Sequence, residues 1–255
     1  MSTAPRAAAV HAVYVLSCLG AVAFAVFFSW LSIQRYDAFL MHALDMGNYD
    51  QAAWHTLHGQ LFSFTNMRAV LPKEAWGTTT RLSFHVEPIL LPLSLLYLIH
   101  AGPETLIVAQ ATVVALGAPA AARLALRVTG STFFAVAAVV AYLLSPTLQA
   151  ATLYEFHPVT LVTAFLLWAI VFAEERRYQL FVVFSLLAIA CKEEIGLVVA
   201  VLCLWIWWRG GDRRLAVITG VLAACWSLAA VGFIVPYFAH GSSAYWQRYI
   251  NAGAA

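Results

Sequence analysis

The sequence predicts an all-α integral membrane protein of about seven transmembrane helices, with a large extracytoplasmic first loop carrying amphipathic or re-entrant helices. Three observations lead there. The 255 residues are 63% hydrophobic and only 10% charged, with a mean hydropathy of +0.82, whereas soluble domains are about a quarter charged. Apolar runs recur along the chain, several of them near the roughly 20 helical residues needed to cross a bilayer core. Between the first run and the rest, residues 32–83 mix Asp, Asn, Gln, His, Arg and Gly with Trp and Phe, a composition that cannot face lipid.

Ala9 to Leu31 is the first span. An Arg6-bearing start and Ala23-Phe24-Ala25 imitate a signal peptide, but the apolar run is too long for a signal core. In the loop that follows, Met46, Tyr49, Ala53 and Leu57 recur at helical spacing, with Asn48, Gln51, His55 and His58 on another face. This predicts an amphipathic helix at the membrane surface. His85-Val86-Glu87-Pro88 then leads into Ile89 to Ile99, which is short for a crossing.

If residues 88–100 crossed, the Arg123/Arg127 and Arg176/Arg177 clusters would fall outside, against the positive-inside rule. With that segment at the interface, or dipping in and returning, the later spans are Thr105 to Arg127, Phe133 to Ala150, Pro158 to Ala173, Tyr178 to Cys191, Ile195 to Trp208 and Leu215 to Phe238. Every arginine cluster, including Arg209/Arg213/Arg214, then faces the cytoplasm, as does the N-terminus. Tyr178 to Trp208 as one helix would be about 46 Å long. It would also bury Lys192-Glu193-Glu194 near the bilayer centre at about 2.5–3.5 kcal/mol each. A turn between two short helices is therefore predicted there. No linker divides the chain, so residues 1–255 are expected to form a single polytopic domain, with 32–104 as its extracytoplasmic loop.

The net charge of +2 leaves no electrostatic footprint for nucleic acid. Cys18, Cys191, Cys203 and Cys225 all lie in apolar runs, which suggests neither a disulfide framework nor a zinc ribbon. His85-x-Glu87 has the first half of a zinc-deaminase signature but lacks the P-C-x-x-C partner, and there is no H-E-x-x-H. Trp54, Trp76, Trp205, Trp207 and Trp208 read as interface anchors.

With this topology Asp45, Asp50, His85, Glu87, Glu155, His157, Lys192, Glu193 and Glu194 all reach the extracytoplasmic side. Helices starting near Pro88, Thr105, Pro158 and Ile195 would point their N-termini at the same region, which suits an anion such as phosphate. Each residue also has a purely structural reading. Asp45 is a good N-cap, and Asp50 an ordinary exposed helix residue. Glu87 and His157 precede prolines that open helices. Lys192-Glu193-Glu194 can be an ion-paired turn.

The series Leu44-Asp45-Met46-Gly47-Asn48-Tyr49-Asp50-Gln51-Ala52-Ala53-Trp54, Phe84-His85-Val86-Glu87-Pro88, Leu144-Ser145-Pro146, Phe156-His157-Pro158 and Cys191-Lys192-Glu193-Glu194-Ile195-Gly196-Leu197 resembles a bacterial family of polytopic membrane proteins, domain of unknown function 2079. The likeness runs from about Asp37 to Leu197. That family in turn resembles the C-type (GT-C) superfamily of membrane glycosyltransferases. The resemblance implies a GT-C-like fold and sugar transfer from a polyprenyl-phosphate donor at the outer face of the bacterial plasma (inner) membrane.

The superfamily's loop acid, a catalytic base or metal ligand, carries to Asp45, with Asp50 second. His85, Glu87, His157 and Lys192 are then the expected substrate-binding residues. Glu193 and Glu194 are the expected ligands of a divalent cation, Mg²⁺ or Mn²⁺, which oxygen donors suit. The chain departs from the superfamily in having no Asp-x-Asp pair. The resembling family continues past Tyr245-Trp246-Gln247-Arg248-Tyr249, so C-terminal truncation relative to it is expected. Two other classes fit the same residues: a transporter or permease component using Lys192, Glu193, Glu194 and His157 as a relay, and a non-catalytic membrane scaffold.

Overall fold

The computed structural model describes residues 3–65 and 80–239. Among them the chain is helical, with no strand beyond an isolated bridge between Ser63 and Thr80. The helices are α1 (Thr3–Asp37), α2 (Ala43–Leu57), α3 (Leu90–Leu95), α4 (Pro103–Ala115), α5 (Gly117–Thr129), α6 (Thr132–Leu143), α7 (Pro146–Leu153), α8 (Pro158–Glu174), α9 (Tyr178–Ile189), α10 (Ile195–Trp208), α11 (Arg213–Ala229) and α12 (Val235–Phe238). A π-helical stretch, Ala230–Ile234, joins the last two.

Among the described residues four helical stretches are long and apolar enough to cross a membrane: Ala7–Asp37, Pro103–Thr129, Thr132–Leu153 and Arg213–Phe238. α8, α9 and α10 are shorter apolar helices. The expected spans thus recur as helices at nearly the expected positions, although only four reach spanning length. Apolar side chains stand outward on these helices, among them Leu19, Val22 and Val26 on α1, Phe133 on α6, Val201 and Leu204 on α10, and Leu222 on α11. A surface this apolar belongs in lipid.

Local chemistry explains the helix ends. Ser145 accepts the Leu148 N–H and Pro146 opens α7; the α6–α7 break falls at this cap. Asp212 caps α11 through the Leu215 N–H. Gly130 closes α5 in the left-handed conformation at φ 65°, which glycine adopts without strain. α9 ends at Ile189 and α10 starts at Ile195, so the predicted turn at Lys192-Glu193-Glu194 is present.

The chain forms two compact units. The first contains residues up to Met41 together with Leu106–Leu186. Its core is built from α1, α4, α5, α6 and α7, with Phe24, Phe28, Val114, Ala118, Ala135 and Leu148 buried together. Tyr142 donates its hydroxyl to the Val114 carbonyl and Trp168 its indole N–H to the Leu116 carbonyl, which satisfies acceptors at the α4–α5 break. The Arg123 guanidinium grips the Glu175 carboxylate through two bonds, at 2.5 and 2.7 Å.

The second unit contains His42–Thr105 and the chain from Leu187 onward. Here α2 packs on α3, and α10 on α11. The α10–α11 crossing is made of small residues: a side chain at Gly196 would strike the Ala223 carbonyl and Ser227, and one at Gly220 would meet Cys203. Small residues let two backbones approach closely, the usual basis of helix pairing in lipid. Trp76 lies outside the described residues.

Candidate functional site

α2 forms where the spacing predicts it, and Met46, Tyr49 and Ala53 are buried as expected. Its buried face is wider than the pattern implied, taking in Ala52 and Asn48. Asp45 lies in the first turn, but the N-cap is His42 and makes no side-chain cap. The capping alternative for Asp45 is therefore not realised.

Four residues after Asp45, on the same face of the helix, Tyr49 enters a buried ionic cluster that the sequence reading missed. Its hydroxyl donates to Glu87 Oε1 at 2.8 Å and accepts from Arg81 Nη2 at 2.7 Å. Arg81 Nε donates to the other Glu87 oxygen, also at 2.8 Å. All three residues are at most 5% exposed. Burial raises the Tyr49 pKa well above the phenol value, and the Glu87 charge raises it further, so the hydroxyl stays neutral. Burial alone would lower the pKa of Arg81, but Glu87, with Tyr49 and Asp45, more than offsets this. The field of Asp45 reaches both Tyr49 and Arg81. Glu87 is thus not simply a residue preceding a helix. Arg81 escaped notice because it sits in a polar loop with no helical periodicity around it; the one signal was its short spacing to Glu87.

A second pairing joins the same segment to the turn between α9 and α10. His85 Nδ1 lies 2.8 Å from Glu193 Oε1, and Glu193 Oε2 accepts the Val86 N–H at 3.0 Å. The Glu193 carbonyl accepts the Ser227 hydroxyl from α11 at 2.6 Å. Burial would raise the Glu193 pKa; the His85 bond and charge and two backbone N–H groups outweigh it, leaving the carboxyl below its ordinary value. Nearby, Lys192 pairs with Glu194 at 2.8 Å, the lysine half-buried and the carboxylate exposed. Ile89 N–H donates to the Ala190 carbonyl, tying the start of α3 to this turn.

Asp50, one residue beyond Tyr49, accepts the Tyr97 hydroxyl at 2.8 Å and so ties α2 to the 3₁₀ turn after α3. Burial raises its pKa; the Tyr97 bond works the other way, and Glu104 adds to the rise. With the folded value above the unfolded one, the protonated form is favoured by folding. Stability from this group is therefore lost as pH rises from the ordinary carboxylate value through the raised folded value. Asp50→Asn is expected to flatten that part of the stability–pH curve and to leave the fold intact, as measured by denaturant unfolding across the window.

Asp45, Asp50, His85, Glu87, Lys192, Glu193 and Glu194 all belong to the second unit. His157 and Glu155 belong to the first. There His157 occupies the N-cap position of α8 ahead of Pro158 without a side-chain capping bond, and its backbone N–H donates to Gln110 Oε1 at 2.9 Å. The Gln110 amide turns to the Thr152 carbonyl.

The donor set as it stands does not suit a divalent cation. Both oxygens of Glu87 and both of Glu193 already accept hydrogen bonds, and Glu194 is paired with Lys192. Among the described residues no group of three or more His, Cys, Asp or Glu is placed to hold a metal.

Residues 35–251 match the model of a family described as predicted membrane protein, DUF2079. No curated protein and no solved structure matches the chain.

Proposed function

We propose, for a chain that belongs to this family of predicted membrane proteins, the transfer of a sugar from a polyprenyl-phosphate donor to a hydroxyl acceptor at the outer face of a bacterial plasma membrane. One observation carries the reading: the acid-bearing helix α2 is clamped by buried bonds from Tyr49 to Glu87 and Arg81. The clamp fixes the turn of α2 that follows Asp45, whose charge reaches Tyr49 and Arg81. An acid on a helix held this rigidly suits group transfer better than one on a solvated surface helix would.

In this reading α8, α9 and α10 enter the bilayer alongside the four longer spans, making about seven. α3 lies at the interface, and the N-terminus and the arginine clusters face the cytoplasm. The second unit then presents Asp45 and the Lys192 turn outward. Lys192 takes the donor phosphate. There the phosphate replaces the Glu194 carboxylate, which pairs with Lys192 at 2.8 Å. Asp45 meets the acceptor hydroxyl, and the lipid tail lies against the apolar helix faces.

The test is binding of polyprenyl phosphate to the purified protein in nanodiscs. Saturable binding is expected, weakened by Lys192→Ala about 10- to 100-fold, the size of one charge-assisted contact, and kept by Asp45→Asn. Wild-type protein that binds no polyprenyl phosphate would sink the donor reading.

A further inference from the structure

The pairing of His85 with Glu193 has a chemical polarity that a simple brace would not need. Glu193 Oε2 accepts the Val86 N–H and its carboxyl is held below the ordinary value, so we read the group as a carboxylate, which only accepts hydrogen bonds. The proton in the 2.8 Å contact therefore sits on His85 Nδ1. In the neutral ring this makes Nε2 the basic nitrogen. Glu193 is itself held from two sides, by the Val86 N–H on its carboxylate and by Ser227 on its carbonyl, so ring and carboxylate have fixed orientations. A carboxylate that sets the tautomer and aim of a histidine is the arrangement of an activated general base.

Where this chain needs only a lock it uses Arg81 and Glu87, whose side chains are 6% and 3% exposed. The side chains of His85 and Glu193 are 15% and 11% exposed, so this second pair is less tightly closed in than the first.

We propose that His85, held in the Nδ1–H tautomer by Glu193, takes the proton of the acceptor hydroxyl, with Glu193 as its positioning residue and Asp45 orienting the acceptor. The step rests on the transfer reading above. The acceptor oxygen loses its proton to Nε2 and forms a bond to the anomeric carbon. The bond from that carbon to the phosphate oxygen breaks, and its electron pair leaves with polyprenyl phosphate. The proton on Nε2 then passes to the departed phosphate or to water, which restores the neutral ring.

The experiment combines ¹⁵N NMR of histidine-labelled protein in nanodiscs with cleavage of polyprenyl-phosphate hexoses, water standing in for the acceptor. His85→Gln assigns the His85 signals by their loss. Wild type is expected to show His85 protonated on Nδ1. In Glu193→Gln the new amide donates to Nδ1 and moves the proton to Nε2. Cleavage then falls about 100-fold or more, the ordinary share of a general base, while the Kd for polyprenyl phosphate stays within about twofold. Glu193→Asp keeps the carboxylate, so the Nδ1–H form and part of the rate return, which separates the tautomer from any loss of folding.

A wild-type ring protonated on Nε2 overturns the dyad whatever the donor. Unchanged cleavage in Glu193→Gln with a flipped tautomer overturns the base role. Mn²⁺ broadening of the His85 signals at stoichiometric metal would make the pair a metal site and overturn it as well. Absence of polyprenyl-phosphate binding in wild type overturns the transfer reading and this step with it, and the NMR tautomer reports that failure separately from a failure of the dyad.

Discussion

Replacing Arg81 by methionine is expected to destabilise the protein by about 3–5 kcal/mol, the cost of leaving a buried charge without its partner. The reason lies in the accounting of the cluster. Arg81 supplies one bond to Glu87 and one to the Tyr49 hydroxyl, and its guanidinium carbon lies 3.7 Å from the centre of the Tyr49 ring. Methionine fills much of the volume but offers no donor, so the Glu87 carboxylate, 3% exposed, keeps its desolvation cost with only the Tyr49 hydroxyl to offset it. Chemical unfolding in detergent micelles measures the loss. Combining Arg81→Met with Glu87→Leu and Tyr49→Phe should recover most of it, because an apolar set of similar size is often no worse than a buried ion pair. A triple variant as unstable as the single one would show that the loss came from packing rather than from the stranded charge.

The second large effect is expected at Gly196. A valine there would drive its Cβ into the Ala223 carbonyl and the Ser227 side chain, and backbone cannot swing aside as a side chain can. Separating α10 from α11 at this level should cost about 3 kcal/mol, the upper end for overpacking. It should also break the Ser227 bond to the Glu193 carbonyl, loosening the turn that carries Lys192, Glu193 and Glu194. Adding Ser227→Ala relieves one of the two collisions and leaves the carbonyl, so little stability should return. Gly232→Ala is the control: nothing lies within 4 Å of a Cβ at that position, and a change within about 1 kcal/mol is expected. A Gly196→Val protein with wild-type unfolding would show that the crossing yields more readily than its geometry implies.

Much of the candidate site could be read along the chain, because a charged or histidine residue in an apolar run, or beside a proline that opens a helix, stands out by contrast. His85, Glu87, Lys192, Glu193 and Glu194 were found in that way. Arg81, Tyr49, Gln110 and Ser227 were not. Arg81 lies among other polar residues, Tyr49 reads as one more apolar position of α2, and Gln110 and Ser227 are single polar groups inside apolar helices. Their importance comes from partners 32, 38, 47 and 34 residues away in sequence, and no local pattern encodes such a pairing.

Hydropathy and periodicity by themselves determined that this is a helical membrane protein, where its apolar helices run, that α2 is amphipathic and that the chain turns at Lys192-Glu193-Glu194. These follow from the bilayer and the 3.6-residue repeat, which act on each segment separately. Only the tertiary structure decided which acids are locked and which stay accessible. Glu87 is closed in by Arg81 and Tyr49, Glu193 is aimed at His85, Asp50 is bonded to Tyr97, and Asp45 shares a helix face with the clamp. The chain is also divided so that His157 belongs to one compact unit and the other candidate residues to the second. A carboxylate's role depends on which donors reach it and how much water is left around it, and both are set by packing between distant segments.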